Sequence, residues 1–537
     1  MRQLFCITVL ISVSLLYAVN CMPLLTTMTG EFGGAALGRS MCNIDFNGDG
    51  IQDLVALEKH WNPDGVFDLS YKMFGRINFY WGGSDFDNNL DFSIPGTYNR
   101  QYGLGFLRNV GDINNDGIED LCYYGSESEQ VKICIFYGNQ IPKTEPDVVL
   151  TFSHSIAYAI GNLWALGDVN NDGHADIGYT LINPVRDIAT MRIFDGSSHN
   201  SIILYSFQWG PNASGLTGIG DINNDGIDDY LSSHVFRQGE NTCTRVTVHF
   251  GSNEFPSSDS LTIYSGINTV INSCLGPLGD VNGDGIDDFV GLIYGSGGYK
   301  IWYGNSNISA NWDVEFPEHI SYTNDGYTLI HGDFNGDGYS DIATSNSNYY
   351  GADGRAYIWL GGQNLNGIVD LVFPAPPGVS ERFGWAKAAG DFNNDGYCDL
   401  AVSQPYSHPA PLWTPGKIHI YLGNAELTDT TVGVQDDCVA PSSNSNIWEI
   451  NLYPNPISQL ETTVNIIFIG NGYEKERDLN IEIYNIKGQK LSAHKFNGTL
   501  ANSKNWSGTL TNAESGVYFV KICSGDKMLV TKRFTIQ

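Results

Sequence analysis

A nine-residue stretch rich in carboxylates occurs seven times in this chain. At 168–176 it reads Asp-Val-Asn-Asn-Asp-Gly-His-Ala-Asp. Every copy has Asp at positions 1, 5 and 9, Asn at position 3 and Gly at position 6. A hard cation such as Ca²⁺ takes six to eight oxygen ligands, and a glycine in such a loop permits the sharp reversal of the chain. The pattern therefore predicts seven calcium loops.

The predicted metal ligands are the side chains at positions 1, 3, 5 and 9, with a main-chain carbonyl near position 7 as a further donor. They are Asp45, Asn47, Asp49, Asp53, Asp112, Asn114, Asp116, Asp120, Asp168, Asn170, Asp172, Asp176, Asp221, Asn223, Asp225, Asp229, Asp280, Asn282, Asp284, Asp288, Asp333, Asn335, Asp337, Asp341, Asp391, Asn393, Asp395 and Asp399. The alternative is a set of metal-free Asp-Asn-Gly turns. Carboxylates that converge without a cation would repel one another, which favours the metal.

The spacing separates these loops from helical EF-hand loops, which close with an acid at position 12. No copy has an acid at position 12. Position 10 is apolar or aromatic in every copy, as at Leu54, Ile177 and Phe289, which predicts a strand after each loop.

The formal charge of the 537-residue chain is −31, which argues against nucleic acid and anionic membranes as partners. The loops supply 21 of its 59 acidic residues. Seven bound Ca²⁺ would reduce the net charge to about −17. Much of the acidity therefore belongs to the predicted metal sites.

The N-terminus is typical of a secretory signal peptide over residues 1–21, because Arg2 precedes an apolar run from Leu4 to Val19. A lipoprotein with a lipidated Cys21 is the alternative, although Asn20 stands where a small residue is expected. No other stretch is long and apolar enough for a transmembrane segment. Among the remaining cysteines, Cys122 and Cys134 flank a short turn and could face each other across a hairpin.

The seven copies start 53 to 67 residues apart, about the length of a four-stranded propeller blade. After each loop come a short apolar strand, an alternating strand that ends in glycine, as in 77–82, and usually a fourth strand, as in 148–152. These features predict an all-β fold, a seven-bladed β-propeller over residues 22–427. The last unit lacks a clear fourth strand, so residues 23–27 are expected to complete it and close the ring.

With Phe32-Gly33 and Phe383-Gly384 before their loops, these units resemble FG-GAP repeats, which build the propellers of integrin α-subunits and of bacterial surface proteins. The resemblance implies that calcium loops join the innermost strand of each blade to the next strand, on one face of the disc. It also implies that partners bind the opposite face. The FG and GAP sequence motifs themselves are incomplete in most units.

A Thr-, Ser- and Asn-rich linker is predicted over residues 428–446, followed by alternating strands that predict a small Ig-like β-sandwich over 447–537. The segments 452–456, 479–491 and 515–522 resemble, in order, the C-terminal sorting domain of the type IX secretion system. This resemblance implies that the secretion machinery is a partner and that the protein is released or displayed on the cell surface. A spacer without sorting function is the alternative.

No H-E-x-x-H, G-x-S-x-G or phosphate-binding loop is present, and His174 is expected to face solvent. The chain is therefore predicted to be a calcium-binding, non-catalytic module for binding or adhesion to a glycan or a protein. A polysaccharide lyase or glycoside hydrolase on a propeller scaffold is the alternative, and a passive surface spacer is a third possibility.

Aromatic side chains in the long loops between second and third strands are the predicted ligand contacts. They belong to units six, seven and one, which ring closure would make neighbours. They are Trp61, Phe67, Tyr71, Tyr349, Tyr350, Tyr406 and Trp413. The alternative is that these aromatic residues pack down and stiffen their loops.

Overall fold

The computed structural model describes most of the propeller region and the strands that follow it. Residues 22–427 are described except 32–33, 64–73, 97–104, 128–129, 154–158, 184, 186–187, 209–214, 239–240, 268–275, 293–298, 317–328, 348–353, 375–381 and 406–414. Beyond them the structure describes seven strands between 447 and 536. The predicted signal peptide and the linker 428–446 lie outside the described residues. All regular elements in the described parts are strands, so none of these parts holds a helix able to cross a membrane.

Seven four-stranded antiparallel sheets form the seven blades of a propeller, as predicted. Each of the first six blades takes four consecutive strands, ordered from the axis outwards. Blade 1 comprises β2 (Leu37–Ile44), β3 (Asp53–Glu58), β4 (Arg76–Tyr80) and β5 (Phe92–Pro95). Blade 2 comprises β6 (Phe106–Asn109), β7 (Leu121–Glu127), β8 (Gln130–Phe136) and β9 (Val148–Ser153). Blade 3 comprises β10 (Ala159–Gly167), β11 (Asp176–Asn183), β12 (Ile188–Phe194) and β13 (Ser201–Gln208).

The next blades repeat this order. Blade 4 comprises β14 (Gly215–Gly220), β15 (Asp229–Gln238), β16 (Asn241–His249) and β17 (Ser260–Ile267). Blade 5 comprises β18 (Gly276–Gly279), β19 (Asp288–Leu292), β20 (Tyr299–Trp302) and β21 (Val314–Glu315). Blade 6 comprises β22 (Ile330–Gly332), β23 (Asp341–Asn346), β24 (Arg355–Trp359) and β25 (Leu371–Pro374).

Blade 7 closes the ring with strands from both ends of the propeller. It comprises β26 (Lys387–Gly390), β27 (Asp399–Gln404) and β28 (Lys417–Tyr421), and β1 (Leu24–Thr29) pairs with β28 as its outermost strand. The innermost strand of every blade contacts that of the next, including β26 with β2. The prediction that the orphan N-terminal segment completes the last blade is confirmed. Closure removes the open sheet edges that a linear array of blades would expose.

The hydrophobic core lies between blades. One cluster joins Phe46 and Phe79 of blade 1 to Leu121 and Phe136 of blade 2, and similar clusters occupy the other blade boundaries. The second strands are buried on both faces, since all six residues of β3 and of β27 are inaccessible. Double burial explains why these strands read as short apolar runs and not as alternating ones.

Two further antiparallel sheets follow the propeller. The strands are β29 (Ile447–Tyr453), β30 (Thr463–Asn471), β31 (Leu479–Asn485), β32 (Lys490–Phe496), β33 (Ser503–Thr509), β34 (Gly516–Ser524) and β35 (Lys527–Ile536). One sheet has the order β29-β30-β33 and the other the order β32-β31-β34-β35. The chain divides into two compact units at Gly433 and Val434, and the Ig-like sandwich stays a prediction for the second unit.

The expectation that Cys122 and Cys134 face each other is wrong. Cys122 pairs across the hairpin with Ile135, and Cys134 pairs with Tyr123. Because neighbouring residues of a strand point to opposite faces, Cys134 lies in the core between blades 1 and 2, whereas Cys122 lies between blades 2 and 3. Neither thiol forms a disulfide, and both are buried.

Ring closure should depend on the inward-facing side chain of the N-terminal strand. Met28 is 1% exposed and packs with Leu37 and Ile418 across the boundary between blades 7 and 1. Met28→Ala should destabilise the propeller by about 2–5 kcal/mol, because it leaves a cavity where the ring closes. Denaturant unfolding of residues 22–537 measures the change. Leu24→Ala is the matched control, since Leu24 is 50% exposed on the same strand, and equal effects of the two variants would contradict a closure role for this strand.

Candidate functional site

The seven Asp loops lie at equivalent places in the seven blades. Each one follows the innermost strand, and the next strand begins at position 9 or 10 of the loop, as at Asp53, Leu121 and Asp176. The prediction that a strand leaves each loop is therefore confirmed. Because the innermost strands all run in the same direction along the axis, the seven loops lie on one face of the disc.

Hydrogen bonds from the loop backbone fix the first three acidic and amide side chains. In blade 4, Asp221 Oδ1 accepts the N–H of Asp225 (3.0 Å), and Asp221 Oδ2 accepts that of Gly226 (2.7 Å). Asn223 Oδ1 also accepts the Asp225 N–H (2.9 Å), while Asp225 Oδ1 accepts the Ile227 N–H (3.0 Å). The same four bonds recur in the other six loops, for example in blade 1. Positions 1, 3 and 5 are therefore brought together in every blade.

Two positions of each loop adopt the left-handed backbone conformation. Position 6 is always glycine, with φ between 84° and 91°. Position 4 also has positive φ in every copy and is either Gly, as at Gly48, or Asn, as at Asn224. Only Gly and, to a lesser extent, Asn or Asp adopt this region readily. The restriction at position 4 was visible in the sequence, but only the structure gives its cause.

The Asp at position 9 is fully buried in all seven blades and ties the loop together. Each of these carboxylates has 0% exposure. In blade 1, Asp53 Oδ2 accepts the N–H of Phe46 at position 2 (3.1 Å). Asp53 Oδ1 accepts the N–H of Gly82, which follows the third strand (2.8 Å). The bond from the strand-end glycine recurs in every blade, at 2.7–3.1 Å.

The glycine after each third strand is required by close packing. At Gly251, a Cβ atom would lie 2.3 Å from the carbonyl oxygen of Asp228, at position 8 of the loop. The equivalent glycines, such as Gly82 and Gly304, meet the position 8 carbonyl at 2.3–2.4 Å. The sequence shows this glycine as the end of an alternating strand. Its role as the partner of the buried Asp appears only in the structure.

The loops also connect neighbouring blades. The carbonyl of Phe46 accepts the N–H of Asn139 in blade 2 (2.8 Å), and four other loops make the equivalent bond to the next blade. Acidic side chains at position 8 reach back to the preceding blade: Glu119 Oε2 accepts the Asp45 N–H, and Asp228 Oδ2 accepts the Asp168 N–H, both at 2.8 Å. Hydrogen bonds on the loop face therefore connect neighbouring blades of the ring.

The sequence suggested that His174 faces solvent, but the structure places it partly between two blades. It is half-buried, and its Nδ1 lies 2.8 Å from the carbonyl oxygen of Ile113 in blade 2. The side chain thus contributes another contact between blades.

Burial raises the pKa of the position 9 carboxyls to about 7, and to about 8 at Asp341. Backbone N–H donors oppose this shift, whereas the carboxylates at positions 1 and 5 add to it. In blade 3, Asp176 Oδ2 is buried without a hydrogen-bond partner. Concentrated negative charge and an unsatisfied oxygen are features that a bound cation would relieve.

The loops do not form closed metal cages. Throughout the described residues, no three Asp, Glu, His or Cys side chains cluster as a metal centre requires. The donor set of carboxylate and amide oxygens nevertheless suits Ca²⁺, and an oxygen that accepts one N–H keeps a further lone pair for a cation. Calcium binding therefore stays a prediction for all seven loops.

Of the predicted ligand-contacting aromatic residues, only Trp61 lies within the described part of the chain. Its Nε1 donates to Glu31 Oε2 (2.9 Å), and the Arg76 guanidinium lies 5.0 Å from its ring centroid. Arg76 also pairs with Glu31 and with the fully buried Glu58. These contacts favour the packing interpretation for Trp61. Phe67, Tyr71, Tyr349, Tyr350, Tyr406 and Trp413 lie outside the described residues.

Models of two protein families match this chain. The FG-GAP repeat matches residues 326–359 and 383–421, which cover the loop-bearing strands of blades 6 and 7. The secretion system C-terminal sorting domain matches residues 451–537. The chain carries FG-GAP repeats in a seven-bladed propeller and a type IX sorting tail. This tail indicates export to the cell surface or into the medium.

Animal integrins and a phospholipase are among the sequence relatives of this chain. It is 26% identical over 219 residues to bovine phosphatidylinositol-glycan-specific phospholipase D, covering 34% of this chain and 25% of the relative. It is 29% identical to chicken integrin alpha-V over 28% of this chain and 15% of the integrin. Human integrin alpha-6 is 32% identical over 21% of this chain and 10% of the integrin. The chain thus matches a quarter or less of each relative's length.

Solved structures with a related arrangement include bacterial and archaeal proteins. PorZ, a surface component of the type-IX secretion system of Porphyromonas gingivalis, has 13% identity and a TM-score of 0.36, covering 96% of this chain and 61% of PorZ. The β-propeller domain of the Trilobed protease from Pyrococcus furiosus has 11% identity and a TM-score of 0.35, covering 76% and 99%. Both scores are low, so the fold assignment rests on the strand pairing described above.

The close approach at the strand-end glycine can be tested by adding one methyl group. Gly251→Ala should lower the free energy of unfolding by about 1–3 kcal/mol, because the Cβ atom would overlap the Asp228 carbonyl and displace the N–H that binds Asp229. Denaturant unfolding provides the measurement. Gly276→Ala is the matched control, because Gly276 has no positive φ and no atom within 4 Å of the added Cβ. A Gly251→Ala variant as stable as the control would contradict the requirement for glycine at the end of the third strand.

Proposed function

We propose that the FG-GAP propeller is a calcium-stabilised, non-catalytic module through which an exported protein binds a glycan or a protein. The observation that carries this proposal is the sevenfold repetition of one acidic loop at the blade boundaries of a single face. A site that repeats in every blade serves the ring as a whole. It leaves the opposite face, where the blades differ, for recognition.

In each loop, the side chains at positions 1, 3, 5 and 9 would hold the ion, together with the carbonyl at position 7. In blade 4 these side chains are Asp221, Asn223 and Asp225, with Asp229 closing the loop. The first three are already oriented by backbone N–H groups. The ion would supply the positive charge that the buried Asp229 lacks, and it would hold the loop closed against the neighbouring blade.

The regular carboxylates of the propeller suit a structural role better than a catalytic one. Glycoside cleavage needs a carboxyl pair across a cleft, about 5–10 Å apart, with one member available as an acid. Here the loop carboxylates accept backbone N–H groups in a fixed pattern. The integrin relatives support a binding function, although the phospholipase D relative carries the name of an enzyme. A polysaccharide-degrading activity therefore remains the weaker candidate.

Calcium should stabilise the protein in a pH-dependent way. The pKa of the position 9 carboxyls is raised from 3.8 to about 7, or to about 8 at Asp341, so between pH 4 and pH 7 the folded form binds more protons than the unfolded form. Without metal, stability should therefore fall as pH rises through that window. Ca²⁺ binds the carboxylate form, so the rise in Tm that it causes should be larger at pH 7.5 than at pH 5. Thermal unfolding in EDTA and in millimolar Ca²⁺ measures both trends.

Stoichiometry gives the control for this prediction. Metal analysis should find several Ca²⁺ per chain, up to one per loop, and Asp225→Ala should remove one ion. Asp259→Asn should remove none, since Asp259 is exposed and lies outside the loops. Fewer than three ions per chain at millimolar calcium, or a Tm that is indifferent to calcium at pH 7.5, would contradict the proposal.

Export should depend on the sorting tail. Deleting residues 447–537 should leave the propeller folded but trap it inside a cell that has the type IX machinery, because the matched sorting domain is removed. Fractionation and immunoblotting measure the distribution. A passenger protein fused to 447–537 should be exported, while the passenger alone should not. Normal export of the truncated chain would refute the role of the tail.

A further inference from the structure

A cavity of about 510 Å³ lies on the axis of the propeller. All seven innermost strands line it, including residues 39–43 of β2 and 387–389 of β26. Small residues such as Gly218 and Gly276 widen it on one side, whereas Trp164 and Trp385 border it on the other strands. Cavities of this size hold ligands larger than a single side chain.

The charge of this cavity is opposite to that of the protein. Arg39, Arg108 and Lys387 line it, and Glu119 is its single acidic lining residue, in a chain of net charge −31. Glu119 is engaged with the Asp45 N–H on the loop side. Within the described residues, neither Arg39 nor Arg108 forms a salt bridge. Among the described residues, these two guanidinium groups therefore have no counter-ion within salt-bridge distance.

An irregularity in β2 places Arg39 in the cavity. The pairing with β3 moves from Leu37 opposite Glu58 to Met41 opposite Ala56, so β2 carries two more residues than its partner over this stretch. Gly38, with φ of 82°, allows the resulting bulge. Arg39 is near the start of β2, so it lies away from the Asp loop that follows the end of this strand. The bulge therefore directs a cation towards the face opposite the loops.

Aromatic rings hold the guanidinium groups in place. Arg39 Cζ lies 4.5 Å from the ring centroid of Trp385 and 5.3 Å from that of Phe106, while Arg382 Cζ lies 5.0 Å from the same Trp385 ring. Arg108 Cζ lies 4.7 Å from the Trp164 ring. Stacking on a ring leaves the N–H edges of a guanidinium group free to donate. Arg39 and Arg108 are thus oriented without a salt bridge among the described residues.

Two donors in this cluster have no acceptor among the described residues. Arg108 Nε and Trp164 Nε1 are buried, and no described group accepts a hydrogen bond from either of them. Buried donors without a partner are costly and rare in folded proteins. A ligand with acceptor oxygens would satisfy both groups and neutralise the adjacent charge.

The positive field extends to the neighbouring residues. Burial lowers the pKa of Lys59, and the Arg39 charge lowers it further. Burial likewise lowers the pKa of His60 to about 4, with added effects from Lys59 and Arg39. An anion near Arg39 would therefore reduce the repulsion between Arg39 and Lys59, whereas His60 is neutral at pH 7.

We propose that the axial cavity binds a sugar that bears a carboxylate, such as a uronic acid residue. This inference rests on the proposed binding function and names the class of its ligand. Guanidinium groups match the planar carboxylate through paired hydrogen bonds. The volume and the aromatic border fit a sugar ring attached to the carboxylate, whereas an acidic peptide side chain would fill only a small part of the cavity.

Isothermal titration of residues 22–537 with trigalacturonic acid, and with neutral galactotriose as the matched ligand, tests this site. We expect binding of the acidic trisaccharide only, weakened at high salt. Arg39→Gln should weaken it at least tenfold, and Arg39→Lys should weaken it less, because the charge remains while the paired donors are lost. Arg192→Gln is the control: Arg192 lies on the third strand of blade 3 and is not a lining residue. Arg108→Gln provides a second variant, and the Tm of each variant reports its folding.

Several outcomes would overturn the proposal. These are equal binding of the neutral sugar, no binding of the acidic sugar, or unchanged affinity of a folded Arg39→Gln variant. Displacement of the trisaccharide by an Asp-rich peptide that binds more tightly would assign the cavity to a protein partner instead. A glycan array and a protein pull-down with the same chain distinguish a failure of the uronate inference from a failure of the proposed binding function. A ligand that binds there but is not a uronate refutes this inference alone, whereas no ligand in any assay refutes the binding function too.

Discussion

The buried Asp at position 9 of each repeat is the interaction on which the propeller depends. In six blades its two oxygens accept N–H groups from the start of the loop and from the glycine after the third strand, so one side chain joins three parts of a blade. In blade 3, Asp176 makes only the bond from the glycine among the described residues. A buried carboxylate is tolerated only when it is well satisfied. The strand-end glycine and the tight loop follow from that requirement, because both bring backbone donors close to Asp53 and its equivalents.

The same interaction produces the electrostatic asymmetry of the molecule. Seven buried carboxyls and the acids around them place negative charge on the loop face, and burial already raises the pKa of these groups. Bound calcium would neutralise this charge and would stabilise the loops that connect the blades. With calcium bound as proposed, the cation would offset the cost of burying an acid in each blade, and the stability of the disc would depend on metal and on pH.

The axis of the disc has the opposite character. Arg39 and Arg108 lie on innermost strands, stacked on Trp385 and Trp164. Arg39 is near the start of its strand, away from the Asp loop that follows the end of that strand. The repeat is thus strict where the loops connect the blades and irregular where the strands line the channel. The regular loops connect the blades, whereas the bulge at Gly38 is a local feature of β2 next to the proposed ligand site.

The number of blades, the strand after each loop and the N-terminal strand that completes blade 7 were all predictable from the sequence. These features depend on local patterns, namely turn residues, alternation and a missing fourth strand in the last repeat. The sequence also showed the strand-end glycines without their function. Only the tertiary structure decided that Gly82 donates to Asp53, because 29 residues separate the two.

Contacts between residues that are distant in the sequence, and the faces to which side chains point, could not be predicted from the sequence either. Trp61 reads as an exposed aromatic residue of a long loop, but Glu31 and Arg76 converge on it from other segments. Cys122 and Cys134 look like partners in the sequence, yet alternation across the hairpin sends them to opposite faces of one sheet. The axial cavity combines residues from all seven blades, and a pattern within one repeat carries no information about which side chains meet at the centre of a closed ring.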